Sequence, residues 1–270
     1  MKTIKYLFFV ILLSACVSVP GIGSTMISPK DGMTLVYVPA GNFTMGDIAL
    51  NAVYHDVKPH PVYLDSFWID KTDITNKMYA MCVNAGVCQA PTKVRSYMRS
   101  SYYGNSQYDN YPVIYVNWNM AKTYCEWAGR ELPTDAQWEK AARGTDGRTY
   151  PWGNSIDCSV ANYHGKENET DYCTGDTTEV GAYPNGVSPY GALDMAGDVW
   201  QWVADWYDPS YYNHSPSSNP SGPASGQYRI LRGGAWLDPE GLLRSAEHDW
   251  LDPNITCNGL GFRCAMSAGK

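Results

Sequence analysis

The C-terminal half of this chain constrains its fold most, because it lacks the periodic apolar pattern of long helices. From residue 144 onward Gly, Pro, Asn, Asp and aromatic residues dominate, and Ser215–Gly226 approaches low complexity. Buried backbone N–H and C=O groups that have no helix or sheet partner need other partners. We therefore expect this half to be held together by polar side chains, ions or disulfides.

Regular structure is predicted mainly before Gly144. Alternating apolar residues predict strands, and the spacing 121, 124, 125 and 128 places Ala, Tyr, Cys and Ala on one helix face. The predicted elements are strands at Thr34–Pro39 and Val62–Ile69, a helix from Thr75 to Asn84 before Gly86, a helix capped by Asn117 or Asn119 and ending at Gly129, and a helix that opens with the capping box Thr134–Gln137 and ends at Arg143.

The N-terminus is typical of an exported lipoprotein. Lys2 and Lys5 precede the apolar run Tyr6–Leu13, which is too short to span a bilayer and indicates a secretory signal peptide over residues 1–15. Leu13-Ser14-Ala15-Cys16 matches a bacterial lipobox, so we expect cleavage before Cys16 and acylation of its thiol. An ordinary signal peptide cut elsewhere, with Cys16 incidental, is the alternative.

The predicted organisation is residues 16–32 as acylated cysteine and tether, followed by one domain over residues 33–268. No shift in composition divides that domain. We expect lipid anchoring to the cell envelope. In a Gram-negative host the outer membrane is favoured, because Val17 rather than an acidic residue follows Cys16.

The charge excludes one class of partner. The formal net charge is −7, and loss of Lys2 and Lys5 leaves 18 basic against 27 acidic residues, or −9. The basic residues are not clustered, so we expect no nucleic-acid partner.

Seven cysteines remain after Cys16, in a compartment where disulfides persist, and the odd number leaves at least one thiol without an intramolecular partner. Cys125 lies on the apolar face of its helix and Cys264 on one face of the last strand, so both thiols point inward and predict a bridge. Cys82 with Cys88 and Cys158 with Cys173 are plausible local pairs, which would leave Cys257 free.

Several motifs resemble the sulfatase-modifying factor family, the formylglycine-generating enzymes. The resemblance implies an α+β fold of the C-type-lectin-like kind, low in regular secondary structure, and the same Cys125–Cys264 bridge. The motifs, in chain order, are Val38–Gly46, His60-Pro61-Val62, Thr72–Asn76, Pro112–Trp118, Ala128–Thr134, Trp138-Glu139, Tyr150–Asn154, Gly197–Trp202, Arg232–Trp236 and Gly261-Phe262-Arg263.

The resemblance also implies two structural calcium sites built from hard oxygen ligands. In the first site, Asp176 is the alternative ligand if Asp171 is out of register. In the second site, Gln201 stands where the family usually has Glu. Asp and Asn residues that merely form turns are the alternative. The implied ligands are the side chains of Asn162 and Asp171 with the carbonyls of Tyr163 and Cys173, and the side chains of Asp194 and Gln201 with the carbonyls of Gly197 and Val199.

The family's copper-dependent oxidation of a substrate cysteine requires a reactive cysteine pair between the last two motifs. Counting back from Leu260–Cys264 places Glu240 and Ser245 at those positions. A single thiolate, from Cys257, is a poor Cu(I) site, so copper is not expected. The five histidines show no metal-ligand spacing, and we predict no catalytic residues: they are His55, His60, His164, His214 and His248.

The remaining hypothesis is a non-catalytic binding module displayed on the membrane anchor, with a protein, peptide or glycan ligand. Loops on a rigid scaffold commonly carry recognition, and Leu237–Asn258 is the candidate loop. It resembles the segment that retroelements diversify in variable lipoproteins, which a nearby imperfect DNA repeat would reveal. The candidate binding residues are Asp238, Glu240, Glu247, His248, Asp249, Trp250, Asp252, Asn254 and Thr256.

Two alternatives stay open. One is a formylglycine-generating-type cysteine oxidase, or another protein-modifying enzyme, with an altered active site that uses Cys257 or another route. A neighbouring sulfatase with the motif Cys-x-Pro-x-Arg would support it. The other is an accessory lipoprotein that only holds a protein partner.

Overall fold

A computed structural model describes residues 20–47, 58–165 and 172–269. Three α-helices and ten short strands are joined by long irregular segments and short 3-10 turns within this part of the chain. The elements are β1 Thr25–Ile27, β2 Thr34–Val38, β3 Gly41–Met45, β4 His60–Leu64, β5 Phe67–Asp70, α1 Asn76–Asn84, α2 Trp118–Trp127, α3 Asp135–Arg143, β6 Trp200–Trp206, β7 Arg229–Arg232, β8 His248–Leu251, β9 Leu260–Phe262 and β10 Ala265–Ser267.

Each helix begins at a side-chain cap that the sequence predicted. Thr75 caps α1, and Asn117, rather than Asn119, caps α2 by accepting a hydrogen bond from the Met120 amide at 2.9 Å. Thr134 and Gln137 form a reciprocal capping box at the start of α3. Such caps stabilise a helix by about 1 kcal/mol each.

The strands form three sheets. Two have four strands, in the orders β1-β2-β5-β10 and β8-β7-β6-β9, and β3 pairs with β4. All pairs are antiparallel except β6 with β9, which joins Trp200–Trp202 to Leu260–Phe262. This parallel pair places the Gly197–Trp202 motif beside the Gly261-Phe262-Arg263 motif. The α+β class is confirmed.

The single strand predicted at Val62–Ile69 is two strands in different sheets. β4 alternates between buried and more exposed residues, as expected for a strand with one solvated face. β5 is buried at every residue because β2 and β10 pair with both of its edges inside the fold. The chain changes sheet between them, at Asp65 and Ser66, and apolar alternation alone does not show that change.

The folded part begins before Met33, where the predicted tether ended. β1 pairs with β2 through Thr25, Met26 and Ile27. The carboxylate of Asp31 is buried, accepts a hydrogen bond from the Tyr124 hydroxyl at 2.7 Å and pairs with Arg130. Residues 25–31 are therefore attached to the domain by strand pairing and by a buried ion pair. Neither contact has a local sequence signal here.

The three predicted disulfides are confirmed, and Cys257 is the free cysteine of the described residues. Cys125–Cys264 ties α2 to the chain between β9 and β10 across a sequence separation of 139 residues. Beyond Arg143 the described chain forms no α-helix. As expected, covalent and polar links hold this irregular half together.

Candidate functional site

Two buried arginines position the C-terminal motifs. Arg232 pairs with Asp135 and Glu139 of α3, and its Nη1 donates to the carbonyls of Ser245 and Glu247 at 3.1 and 3.0 Å. Its side chain is fully buried. One guanidinium therefore binds both α3 and the backbone at residues 245 and 247. It fixes the position of this backbone, where the segment after Trp236 comes back to the core.

Arg263 has the same role on the other side of β6. Its Nε donates to the Gln201 side-chain oxygen at 2.7 Å, and its Nη2 donates to the carbonyls of Leu193 and Asp194, both at 2.8 Å. Nη1 reaches the Asp70 carbonyl at 2.9 Å. Arg263 thereby joins β5, β6 and the irregular chain before β6.

Two glycines after Arg232 allow the chain to turn tightly under this segment. Gly233 and Gly234 have φ angles of 98° and 70°. A Cβ at Gly234 would lie 2.8 Å from the Leu243 side chain and 3.0 Å from the Leu242 carbonyl oxygen. Only glycine combines this backbone conformation with this close approach.

A cleft of about 470 Å³ opens beside Trp236. Trp236 lies between two other rings, with its ring centre 5.1 Å from that of Tyr97 and 5.8 Å from that of Tyr172. The cleft, named here the Trp236 cleft, is lined by Arg95, Ser96, Tyr97, Tyr115, Tyr172, Trp236, Leu237 and Asn258.

One wall of the Trp236 cleft is the loop of residues 93–99, which the sequence did not single out. Asp176 holds this loop: its carboxylate accepts hydrogen bonds from the Ser96 hydroxyl at 2.5 Å and the Met98 amide at 2.9 Å, and pairs with Arg99 at 3.0 Å. The available sequence signal was the presence of three cations together with Val94, Tyr97 and Met98 in seven residues. Asp176 therefore acts as a loop anchor and does not fit its fallback role as a calcium ligand.

The positions matched to the family's cysteine pair do not line the cleft. Glu240 begins a 3-10 turn, Glu240–Leu243, and Ser245 is fully buried. The sequence has no cysteine from Ala235 to Thr256. Cys257, beside the lining residue Asn258, is half-buried, and burial raises the pKa of its thiol above the ordinary value. A protonated thiol is a weak nucleophile and a weak metal ligand.

The predicted binding face Leu237–Asn258 divides into separate parts. Glu247 and His248, expected on a polar surface, are buried. Glu247 pairs with Arg244 at 2.6 Å, and its backbone carbonyl accepts from Arg232. These two residues are corrections to the prediction, because the buried guanidinium of Arg232 draws this stretch of backbone inward.

The other predicted binding residues lie apart from one another. Trp250 is half-buried and stacks on Tyr207 with ring centres 3.9 Å apart, next to Asp249 on β8. The Thr256 hydroxyl lies 2.8 Å from that of Thr92. Asp252 and Asn254 form a local turn, and Asp238 accepts a hydrogen bond from the Ala235 amide at 2.9 Å. Within the segment, the cleft is lined only by Leu237 and Asn258.

The first predicted calcium set fits a hard cation as far as it is described. The Asn162 amide nitrogen donates to the Asp176 carbonyl and to Asp198, which orients its side-chain oxygen. That oxygen accepts one hydrogen bond, from Thr174 at 2.8 Å, and keeps a second lone pair. The Tyr163 carbonyl accepts from the Cys173 amide at 3.0 Å, and a carbonyl oxygen has two lone pairs. The Cys173 carbonyl is the other described member, and Asp171 lies outside the described residues.

The second predicted set is a closed hydrogen-bond network. The Gln201 side-chain oxygen accepts from Trp138 and from Arg263, both at 2.7 Å, and its amide donates to the Asp194 carbonyl at 2.6 Å. The Gly197 carbonyl accepts from the Val199 amide at 2.9 Å. Both lone pairs of the amide oxygen are in use and a guanidinium already provides positive charge, so this arrangement does not fit calcium.

The described residues contain no group of three or more His, Cys, Asp or Glu placed to hold a metal ion. This leaves the first calcium set untested, because amide and carbonyl oxygens dominate it. Over the same ranges, no helix has the length and apolar character needed to cross a membrane. The proposed signal peptide and Cys16 lie outside the described residues.

Comparison with known proteins identifies the family. The profile of the sulfatase-modifying factor enzyme 1-like domain matches residues 24–268. A formylglycine-generating enzyme of Streptomyces coelicolor is 33% identical over 295 residues, covering 89% of this chain and 91% of that protein. The serine/threonine-protein kinase pkn1 of Chlamydia caviae is 33% identical over 247 residues, covering 86% of this chain but 37% of the kinase.

The fold agrees with this relationship. The structure of PvdO from Pseudomonas aeruginosa superposes with a TM-score of 0.76 at 24% identity, covering 92% of this chain and 100% of that one. The chain spans little more than a third of the kinase's length and the whole of the PvdO chain. This protein therefore belongs to the sulfatase-modifying factor enzyme 1-like family.

Proposed function

We propose that this protein is a non-catalytic binding module of its family, exported and lipid-anchored through Cys16, and that the Trp236 cleft holds its ligand. The observation that carries the proposal is chemical. The segment between Arg232–Trp236 and Gly261-Phe262-Arg263 contains one cysteine, Cys257, where the family reaction requires a pair.

The state of that one thiol supports the proposal. Cys257 is half-buried and burial raises its pKa, so it is mainly protonated near neutral pH. Copper(I) binding by the family's route requires two soft thiolates close together. This chain offers one thiol, and in a form that binds metal weakly.

The scaffold that frames the cleft is nevertheless intact. Arg232 and Arg263 are fully buried and engage the motifs on both sides of the segment. A rigid frame around an open cleft is the usual arrangement of a binding site. We propose, in addition, that calcium bound at Asn162, Tyr163 and Cys173 stabilises the irregular chain behind the cleft without taking part in chemistry.

The test is mass spectrometry of a Cys-x-Pro-x-Arg peptide incubated in air with the purified, copper-loaded protein. We expect no conversion of its cysteine to formylglycine, whereas the S. coelicolor enzyme, as a positive control, converts it. Turnover by this protein would overturn the non-catalytic assignment. If Cys257→Ser abolished that turnover, the altered-enzyme alternative would replace it.

The anchor is tested separately. Expression of the full chain with Cys16→Ser should shift the protein from the detergent-rich to the aqueous phase on Triton X-114 partition and prevent labelling by an alkyne fatty acid. Equal partition and labelling of both forms would refute acylation at Cys16. This result would leave the binding proposal unaffected.

A further inference from the structure

We infer that the Trp236 cleft selects acidic peptide segments, in which a carboxylate lies beside an aromatic or other apolar side chain. The inference rests on the proposed binding function and specifies its ligand. It follows from three features of the cleft: its charge, its rings and its rim.

The charge at the cleft is positive on an acidic protein. Arg95 lines the cleft and is exposed, and the Lys93 ammonium lies 5.4 Å from the centre of the Tyr115 ring. Neither cation forms an ion pair with another described residue, whereas Arg99 of the same loop pairs with Asp176. Among the residues that the structure describes, no acidic residue lines the cleft, and the whole chain has a net charge of −7.

This arrangement favours an anionic ligand. A guanidinium presents paired N–H donors that match a carboxylate, and charge-assisted hydrogen bonds are the stronger kind. The Arg95 side chain also interacts with that of Tyr115, and both residues line the cleft. A basic peptide would bring like charge to the same point.

The rings supply an apolar subsite next to that charge. Trp236 is buried, whereas Tyr97 and Tyr172, whose rings flank it, are 67% and 40% exposed. Flat rings of this kind stack on aromatic and proline side chains. Since Arg95 and Tyr97 are two residues apart on one loop, a carboxylate and a neighbouring apolar side chain can be bound together.

The rim distinguishes a peptide from a sugar. Val94 and Met98, in the same loop as the lining residues Arg95 and Tyr97, are 58% and 69% exposed, and the lining residue Leu237 is 42% exposed. With Tyr97 they are exposed apolar side chains of the cleft lining and of the loop that supplies it, and exposed apolar side chains that cluster in this way mark interaction surfaces. Aliphatic side chains and a methionine suit the apolar residues of a peptide and add little to sugar recognition.

The experiment starts from selection, because the ligand is not identified. A phage-displayed random dodecapeptide library is selected on the immobilised protein and, in parallel, on its Arg95→Gln variant. A fluorescent peptide carrying the enriched sequence is then compared with its Glu/Asp→Gln/Asn and Glu/Asp→Lys forms by anisotropy. Lys77→Gln, which removes an exposed cation on α1, is the matched control.

We expect enrichment of acidic residues next to aromatic or apolar ones. The acidic peptide should bind about three- to tenfold more tightly than its amide form, as expected for a charge-assisted contact near the surface. That ratio should fall close to one in Arg95→Gln, persist in Lys77→Gln, and shrink as salt is raised. The Lys form should bind most weakly.

Two results overturn the inference in different ways. Enriched peptides without acidic residues, or an acidic preference that survives Arg95→Gln, would refute the assignment of charge selection but leave the cleft as a binding site. No enrichment at all would refute peptide recognition in the cleft and with it this inference. The proposed binding function is tested separately by the peptide-oxidation assay, because its ligand can also be a glycan or a folded protein.

Discussion

Replacing Arg232 with Met should destabilise this protein more than any exposed charge substitution. Arg232 is fully buried and is the ion-pair partner of both Asp135 and Glu139, which are themselves buried. Removing one partner of a buried pair leaves uncompensated charge and costs about 3–5 kcal/mol. For a chain of this size that corresponds to a fall in Tm of roughly 6–20 °C.

The matched control is Arg148→Met. Arg148 also pairs with a carboxylate, that of Asp146 at 2.6 Å, but this carboxylate is more than half exposed. Such surface pairs contribute about 0–1 kcal/mol. Urea unfolding of both variants, followed by tryptophan fluorescence, measures the difference. A loss for Arg232→Met that is no larger than the loss for Arg148→Met would refute the reasoning.

The pH dependence gives a second readout. Burial raises the pKa of Asp135, but the Arg232 guanidinium, with His248, outweighs burial, so the net pKa lies below its ordinary value. Ionised Asp135 thus stabilises the native protein above the unfolded pKa, and this contribution is lost as pH falls. Without Arg232, burial raises the pKa of Asp135 above its ordinary value, so the ionised carboxylate destabilises the folded variant. Protonation of Asp135 then relieves this cost, and the variant should approach the wild type in stability as pH falls from 7 to 5. A constant difference would contradict this.

The remaining predictions concern metal and disulfides. Removal of calcium by a chelator should lower the Tm of the wild type. Asn162→Ala should abolish this chelator effect, whereas Asp194→Ala should still show it. A wild-type melting curve that is the same with and without chelator would reject the calcium proposal. Replacing both cysteines of Cys125–Cys264 with Ser should lower the free energy of unfolding by about 5 kcal/mol, against about 2 kcal/mol for the Cys82–Cys88 bridge, because the closed loop is much longer. Equal losses in denaturant melts would argue against the chain-entropy origin of this difference.

The helices and disulfides were predictable because their signals are local or strongly patterned. A capping side chain acts within three residues of its position, so Thr75 and Thr134 could be identified from sequence, and the cap of α2 could be narrowed to Asn117 or Asn119. Cys125 and Cys264 could be paired because both lie on apolar faces. These signals do not depend on the arrangement of the rest of the chain.

The cleft could not be predicted, because distant residues shape it. Asp176 holds Ser96 across 80 positions of sequence, and nothing near either residue indicates the contact. The inward turn at Glu247 and His248 has a similar cause, since Arg232 binds the backbone there. Because Glu247 and His248 are polar, the sequence predicted that they lie on the surface. In the structure, the buried Arg232 guanidinium donates hydrogen bonds to the backbone there, and these polar residues are buried.

The contact between Arg232 and the segment after it also bears on how this protein can change over evolutionary time. The guanidinium donates hydrogen bonds to the backbone carbonyl oxygens of residues 245 and 247. A backbone carbonyl accepts such a bond whichever side chain its residue carries. A mutation that alters the side chain of Leu237, which lines the Trp236 cleft, therefore leaves this backbone support intact. We expect descendants of this chain to change ligand preference at this position rapidly, while Arg232 and the backbone that it holds stay almost unaltered.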